Sequence, residues 1–320
     1  MEDQLFLSEP SVSVVVPSYN HAQFVASCLH SIIRQTQPPE KLLVIDDGSK
    51  DDSVRVIESV LKECAFPSEL VARENRGLSA TLNQGLELTR GDYFAYLGSD
   101  DVWLDDFLAA RTKLLRNRPT AVLAYGNSYL IDEQNKVVDC TADWAHYKDG
   151  DVREMLLQVT APMSPTVLYK RESLERHGWN EGERLEDYEL YLKLSLDGEF
   201  AFDPQALSAW RVHQTNTSWD QEMMLDEQLS ALRRVAPELG IGDRQLETLT
   251  NEINFNRVED FLRLGDKKKA TQLALKNLKG ISVARLVRIL GRLALPYSAV
   301  SWWRQRRQHA ATQHYGRLDV

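Results

Sequence analysis

Apolar runs alternate with amphipathic stretches through the first hundred residues of the chain. Four continuous runs, rich in β-branched and aromatic residues, are typical of buried strands. They lie at 12–16, 42–45, 70–72 and 93–97, and helical spacing of apolar residues follows the first three at about 22–35, 54–61 and 79–88. This alternation predicts an α/β domain with a mostly parallel sheet flanked by helices.

Polar residues stand directly after three of these predicted strands. Tyr19 follows the first, Asp47 the second, and the pair Asp100-Asp101 the fourth. Because α/β sheets bind ligands at the carboxyl ends of their strands, we expect these side chains to share one crevice. Adjacent carboxylates are costly to bury unless a cation joins them, and oxygen ligands favour Mg²⁺ or Mn²⁺. The alternative interpretation of the pair is a turn followed by a helix cap.

Six short segments add chemical detail to this pattern. They read Val-Val-Pro-Ser-Tyr-Asn (15–20), Ile-Asp-Asp-Gly-Ser (45–49), Glu-Asn-Arg-Gly-Leu-Ser-Ala-Thr-Leu-Asn-Gln-Gly (74–85), Gly-Ser-Asp-Asp (98–101), Leu-Glu-Asp-Tyr-Glu-Leu (185–190) and Trp-Arg-Val-His (210–213). In this order they resemble glycosyltransferase family 2, whose members have the GT-A fold and invert the anomeric centre, and especially its bacterial surface-polysaccharide and lipopolysaccharide enzymes. The resemblance covers about residues 10–218.

The resemblance implies a site for a nucleotide-diphosphate sugar. Asp47 is expected to accept a hydrogen bond from the ring N–H of uracil or thymine, which makes a UDP- or dTDP-sugar the expected donor. Asp47 could instead cap a helix through an Asx turn, a role that Asp46 could equally fill. The other residues of the implied donor site are Pro17, Tyr19, Asn20, Asn75, Gly77, Asn83, Ser99, Asp100 and Arg211.

The resemblance also implies a divalent cation, Mn²⁺ or Mg²⁺. Ser99-Asp100-Asp101 takes the place of the family's Asp-X-Asp motif, with Asp101 as the expected metal ligand. Asp100 is expected to meet the ribose or to share the metal, and His213 to complete the metal site. Since Ser99 stands where the family has its first acid, fewer protein ligands remain. The alternative for His213 is an ordinary core or surface histidine.

Asp187 is the expected general base. Inversion requires the acceptor hydroxyl to attack opposite the leaving diphosphate, and a carboxylate must take its proton. Glu186 is expected to orient Asp187 or to contact the acceptor. Both residues begin a predicted helix, where carboxylates also act as caps, so a capping pair is the alternative. The expected reaction is a metal-dependent, hexosyltransferase-type transfer of a single sugar to a saccharide or lipid-linked acceptor.

Charge divides the chain unequally. From Lys267 onward there are five Lys and seven Arg against one acid, a net charge of +11, whereas the whole chain has a net charge of −9. Basic residues beside Trp302-Trp303 suit the headgroup region of an anionic membrane. The alternative is a soluble helical subdomain with a basic face. No nucleic-acid recognition motif is present, so we expect no nucleic-acid partner.

Organisation and compartment follow from the same features. We expect a catalytic domain at 1–218, with a nucleotide-binding half (10–100) and an acceptor half (101–218), and a helical region at 219–320. Three cysteines without metal-ligand spacing favour a reducing compartment. With no signal-peptide pattern and no membrane-length apolar run, a cytoplasmic enzyme is expected, peripheral at most on the inner membrane.

Three alternative functions would require different features of the sequence. A sugar-phosphate nucleotidyltransferase would have a glycine-rich, arginine-containing loop where this chain has Pro17-Ser18-Tyr19-Asn20. A dinucleotide-dependent dehydrogenase would have a Gly-x-Gly-x-x-Gly turn after a strand, and none is present. A non-catalytic sugar-nucleotide-binding or scaffold protein of the same fold remains the main alternative.

Overall fold

The computed structural model describes residues 10–214, 216–278 and 282–320. Residues 12–96 alternate strand and helix as predicted. The elements are β1 (Val12–Ser18), α1 (Val25–Ile33), β2 (Lys41–Asp46), α2 (Ser53–Leu61), β3 (Ser68–Ala72), α3 (Leu78–Leu88) and β4 (Tyr93–Tyr96). The four strands pair in parallel in the order β3-β2-β1-β4. The carboxyl ends of β1, β2 and β4 therefore lie side by side.

The second half extends the same sheet with strands of both directions. Its elements are β5 (Val102–Trp103), α4 (Phe107–Arg116), β6 (Ala121–Ile131), β7 (Val137–Cys140), α5 (Arg153–Leu157), β8 (Leu168–Lys170), α6 (Arg171–Glu175), α7 (Asp187–Asp197) and β9 (Glu199–Arg211). The order continues from β4 as β8-β6-β9-β5, and β7 pairs with β6. Strands β5, β7 and β8 are antiparallel to their neighbours, whereas β6 and β9 are parallel to each other. Within the described residues the sheet is therefore mixed but mostly parallel.

Both faces of the sheet are covered by helices. Alternate residues of β1 enter different apolar clusters: Val15 packs with Leu82 of α3, and Val14 packs with Leu29 of α1. This two-sided burial explains why the strands are continuous apolar runs. Helix α3 comes so close to β1 that a Cβ on Gly85 would lie 2.7 Å from Cγ1 of Val15. The core thus fixes α3 against the strand that leads into the crevice.

The C-terminal region is helical, as predicted. It contains α8 (Gln221–Val235), α9 (Asp243–Leu264), α10 (Lys267–Lys276), α11 (Val283–Ala294) and α12 (Tyr297–Tyr315). Helix α12 returns to the sheet, where the Thr312 hydroxyl donates to the carbonyl of Val137 in β7 at 2.7 Å. Among the described residues, no helix has both the length and the apolarity needed to cross a membrane. The predicted domain boundary at 218 stays a prediction.

Candidate active site

The loops after β1 and β2 are joined by hydrogen bonds. The amide of Asn20 donates to the Ser49 hydroxyl at 2.8 Å, and Asn20 Oδ1 accepts from the amide of Lys50 at 2.7 Å. Asn20 adopts a positive φ of 54°, which asparagine tolerates better than most residues. Beside it the Tyr19 side chain is 46% exposed, while Pro17 is buried within β1. Tyr19 is therefore available to a ligand, and Asn20 shapes the loop.

Asp47 anchors the segment that leads into α3. Its Oδ1 accepts from the amide of Arg76 at 2.9 Å and its Oδ2 from the amide of Gly77 at 2.8 Å. The guanidinium of Arg73 also pairs with Oδ1. The Asx turn belongs instead to Asp46, which accepts from the amide and the hydroxyl of Ser49. The expected contact between Asp47 and a base stays a prediction, with Oδ2 as the less crowded oxygen.

The remaining residues of the 74–85 segment have different surroundings. Gly77 has a positive φ of 88°, which glycine adopts without strain, and it precedes α3. Asn75 is exposed beside this turn. Asn83 accepts from the amide of Trp179 at 2.9 Å and donates to that residue's carbonyl at 2.9 Å. Asn83 thus clamps a distant turn onto α3, and its predicted role at the nucleotide is not visible in these contacts.

Two imidazoles flank the first carboxylate of the Asp100-Asp101 pair. His213 Nε2 lies 2.8 Å from Asp100 Oδ2, and His21 Nδ1 lies 3.8 Å from Asp100 Oδ1. Although burial acts in the opposite direction, the hydrogen bond to His213 and the charge of His21 hold the pKa of Asp100 below its ordinary value. Burial lowers the pKa of His21. One atom from each of His21, Asp100 and His213 lies within 4.8 Å of the others, so the three residues could hold a divalent cation.

Asp101 faces the backbone of β9 instead. Its Oδ1 accepts from the amide of Arg211 at 2.8 Å, and burial together with the Asp100 charge raises its pKa. Arg211 is itself buried, donating to the carbonyl of Asp100 at 2.8 Å and to Asn135 Oδ1 at 2.6 Å. The geometry therefore favours Asp100 over Asp101 as the carboxylate of the metal site. Arg211 supports the loop rather than pointing at a phosphate, and the predicted roles of both residues stay untested.

Glu186 and Asp187 lie at the start of α7, against the strand that leads into the Asp100 loop. The hydroxyl of Tyr96 in β4 donates to Glu186 Oε1 at 3.0 Å, and the Ser164 hydroxyl lies 3.3 Å from both Glu186 Oε1 and Asp187 Oδ2. Burial raises the pKa of Glu186, and burial together with the Glu186 charge raises the pKa of Asp187 to about 8. Two half-buried carboxylates with raised pKa values form a candidate acid–base site.

Four residues of the crevice were not predicted from the sequence. His21 reaches the metal cluster, Arg73 neutralises Asp47, and Tyr96 and Ser164 hold the two carboxylates. His21 directly follows the Ser-Tyr-Asn segment, which was the available signal. No sequence signal pointed to Tyr96 or Ser164, since an aromatic residue in a strand and a serine in a loop are common. A cavity of about 480 Å³ opens beside His213 and is bordered by Trp219, a volume suited to a small ligand.

Comparison with known proteins identifies the family. The family model described as Glycosyl transferase family 2 matches residues 13–178. This chain belongs to glycosyltransferase family 2. The match includes the loops after β1, β2 and β4, and ends before Glu186 and Asp187 of the candidate acid–base pair.

Two curated relatives of this family 2 glycosyltransferase are polysaccharide enzymes by name. Chondroitin synthase of Escherichia coli is 25% identical over 245 residues, which are 76% of this chain and 35% of that protein. TuaG of Bacillus subtilis, named for teichuronic acid biosynthesis, is 30% identical over 125 residues, covering 39% of this chain and 50% of TuaG. The chain thus spans a third to a half of the length of these two relatives.

Solved structures confirm the GT-A architecture of this glycosyltransferase. The mannosyltransferase PcManGT of Pyrobaculum calidifontis, in complex with GDP-Man and Mn²⁺, superposes with a TM-score of 0.63 at 18% identity, covering 96% of this chain and 87% of that one. Residues 1–349 of S. aureus TarS, in complex with UDP-GlcNAc, superpose with a TM-score of 0.61 at 14% identity, covering 97% and 93%. Both neighbours bind a nucleotide sugar, and one binds Mn²⁺; at these identities the likeness supports the fold alone.

Proposed function

We propose that this family 2 glycosyltransferase moves a single sugar, with inversion, from a UDP- or dTDP-sugar to a saccharide or lipid-linked acceptor. Cell-envelope polysaccharide or lipopolysaccharide synthesis is the proposed setting, which the name of TuaG, a relative named for teichuronic acid biosynthesis, supports. One observation carries the proposal. Tyr96 of β4 holds Glu186 beside Asp187, and the same strand leads directly into the loop of Asp100. Candidate base and candidate diphosphate site therefore face one crevice.

The proposed reaction divides between the two sides of this crevice. Asp187 takes the proton of the acceptor hydroxyl while the hydroxyl oxygen forms a bond to the anomeric carbon. The bond from that carbon to the diphosphate oxygen breaks, and the nucleoside diphosphate leaves with the electron pair. A divalent cation, held by Asp100 with His213, would supply charge stabilisation for the leaving diphosphate. Glu186 and Ser164 keep Asp187 aimed at the acceptor.

The base pocket is proposed around Asp47 and Tyr19. Asp47 is fixed by the amides of Arg76 and Gly77, so its free lone pair has a defined direction. A pyrimidine ring could lie against the exposed face of Tyr19 while its N–H donates to Asp47. A thermal-shift panel of UDP-, dTDP-, GDP- and CMP-sugars, with and without Mn²⁺, tests this assignment. A ligand at about one hundred times its Kd should stabilise the fold by about 2.7 kcal/mol.

Turnover with the donor identified in this way tests the reaction itself. Transfer to an acceptor, with the product linkage opposite in anomeric configuration to the donor by NMR, is the expected result. If the protein binds the donor but neither transfers its sugar to any acceptor nor hydrolyses it, the non-catalytic alternative would be supported. Retention of configuration would contradict the assignment of Asp187 as the base.

A membrane contact is proposed for the C-terminal helices, and their side-chain arrangement supports it in an unexpected way. The arginines of α11 turn towards α9: Arg292 pairs with Glu259 at 2.8 Å, and Arg285 donates to Asn256 Oδ1 at 2.8 Å. The outer face of α11 is apolar, with Val283, Val287 and Leu290 exposed by 79, 63 and 55%. A basic face was instead the feature expected of the alternative, a soluble helical subdomain.

An apolar outer face beside a strongly basic tail suits shallow insertion into an anionic lipid surface. Trp303 on α12 is 67% exposed, and Arg306 lies over the ring of its neighbour Trp302 at 4.8 Å. Flotation with vesicles containing phosphatidylglycerol should recover the protein, and the double change Val287→Ser with Leu290→Ser should reduce recovery. Equal recovery with neutral vesicles, or none with either, would contradict the proposal. A Leu88→Ser variant, exposed on α3, is the matched control.

A further inference from the structure

His21 occupies a position that the acidic motif alone does not explain. Its Nδ1 lies 2.8 Å from the hydroxyl of Ser99 and 3.8 Å from Asp100 Oδ1. With Asp100 as the metal carboxylate, the first acid of an Asp-X-Asp motif falls on Gly98, where a Cβ would lie 2.8 Å from Asp100 Oδ1. An imidazole therefore lies beside the place where an oxygen ligand is missing. On the other side of Asp100, His213 Nε2 lies 2.8 Å from Oδ2. One carboxylate is thus flanked by two ring nitrogens.

The backbone segments that carry both rings are held by contacts that need no ion. The amide of His21 donates to the Ser53 hydroxyl at 3.0 Å, which fixes the backbone of the loop after β1. The amide of His213 donates to Asn216 Oδ1 at 2.7 Å, and the indole of Trp219 donates to the His213 carbonyl at 2.7 Å. The ring of Phe24 packs beside both imidazoles, with centroids 6.2 Å from His21 and 5.2 Å from His213, and the two imidazole centroids are 5.6 Å apart. The donor set is therefore assembled in advance.

The nature of the donor atoms decides which cation this set favours. Mg²⁺ prefers oxygen ligands and near-octahedral geometry, and it gives up its water reluctantly. Imidazole nitrogen suits later and softer divalent ions, whose affinity for nitrogen sites rises from Mn²⁺ through Co²⁺. Replacing a carboxylate by an imidazole therefore weakens the site for Mg²⁺ and strengthens it for transition metals. One carboxylate also neutralises less of the cation's charge than two carboxylates would, which further weakens the binding of Mg²⁺.

We propose that His21 is a metal ligand and determines metal choice, forming with Asp100 and His213 a site of two imidazoles and one carboxylate that takes Mn²⁺ or Co²⁺ in preference to Mg²⁺. The inference rests on the proposed function, because the same cation would meet the donor diphosphate. It adds to that function a residue outside the acidic motif. It also predicts that an imidazole nitrogen of His21, in the loop after β1, bonds directly to the metal ion.

The test is metal binding by the full chain without any nucleotide. Titration with Mn²⁺, followed by the EPR signal of the free ion, gives the affinity, and competition by Mg²⁺ gives the preference. Pulsed EPR of bound Mn²⁺ should show coupling to imidazole nitrogen. In His21→Asn the Mn²⁺ affinity should fall by at least 10-fold, a size seen even for outer-shell changes, and the nitrogen coupling should decrease. His21→Asp should shift the preference towards Mg²⁺.

His30→Asn is the matched control, since His30 is a partly exposed histidine on α1 that pairs with Glu63. It should bind Mn²⁺ as the wild-type chain does. Unchanged Mn²⁺ affinity in a folded His21→Asn variant, an absence of nitrogen coupling, or equal affinities for Mg²⁺ and Mn²⁺ would overturn the proposal. Sugar transfer with no metal preference would overturn it while the proposed function survives. Nitrogen-coupled Mn²⁺ binding without any transfer would support it while the proposed function fails.

Discussion

Replacing Asp187 by asparagine should separate activity from stability. In the folded protein the Asp187 carboxyl lies against Glu186, and its pKa is raised to about 8 by burial and by the Glu186 charge. In the unfolded chain the same group titrates near 4. Between these two values the folded state holds a proton that the unfolded state has released. The free energy of unfolding therefore decreases as the pH rises from about 4 to about 8.

The size of the destabilisation follows from the difference in proton affinity of Asp187 between the folded and the unfolded state. Each tenfold difference in proton affinity is worth about 1.4 kcal/mol. Ser164 stabilises the ionised form, and the pair is partly open to solvent, so we expect a net cost of about 1–3 kcal/mol at pH 9. Asp187→Asn removes this cost while keeping the shape. The variant should therefore be more stable than the wild-type chain at pH 9, and turnover should fall by about 10²–10⁴ because the base is lost.

Urea unfolding at pH 6 and pH 9, with donor turnover at the same pH values, measures both effects. Wild-type turnover should rise with pH towards about 8, as Asp187 loses its proton in the folded state. Asp151→Asn is the control, because the hydrogen bond from Arg153 lowers the pKa of this exposed carboxyl to about 2. The pH dependence of stability and of turnover between pH 6 and pH 9 should therefore equal that of the wild-type chain. A variant that is less stable at pH 9, or that keeps its turnover, would refute the reasoning.

Three further changes should report on the fold around the site. Gly85→Ala should lower the free energy of unfolding by about 1–3 kcal/mol, because the new Cβ would lie 2.7 Å from Cγ1 of Val15. An unchanged thermal denaturation curve would contradict the tight contact between α3 and β1. Gly291→Ala, with open space around its Cβ in α11, should instead stabilise by about 0.5–1 kcal/mol in the same assay. The fully buried guanidinium of Arg111 lies 2.6 Å from the Asp203 carboxylate, so Arg111→Ala would leave that carboxylate without its ion-pair partner. The free energy of unfolding in urea should fall by about 3–5 kcal/mol. A decrease below about 1 kcal/mol would show that water replaces the guanidinium.

The parallel half of the fold could be predicted because its strands are buried on both faces. Continuous apolar runs leave little choice of register or partner, so both the elements and their common edge follow from the pattern. The long strand β9 was harder. No continuous apolar run marks β9, which covers Glu199–Arg211 and pairs along β6 through several register shifts. Pro204 and polar neighbours interrupt the pattern without ending the strand.

The candidate site divides in the same way. Residues at strand ends were predicted because topology alone brings them together. The orientation of each side chain was not, since it depends on contacts between loops distant in sequence. Asp101 faces Arg211 and Asp100 faces His213, a distinction set by the antiparallel pairing of β5 with β9. The inward turn of Arg292 likewise depends on Glu259 of α9, which no local pattern reveals.

Asn135 connects the last helix to the wall of the active site. Its carbonyl accepts from the amide of Leu318 at 3.0 Å just beyond α12, and its side chain accepts from Arg211, which in turn holds the carbonyl of Asp100. A mechanical load on α12 is therefore transmitted to the metal-facing loop unless one of these bonds breaks. If α12 rests on a lipid surface, binding to that surface and release from it would place a load on the loop that carries Asp100, the proposed metal ligand.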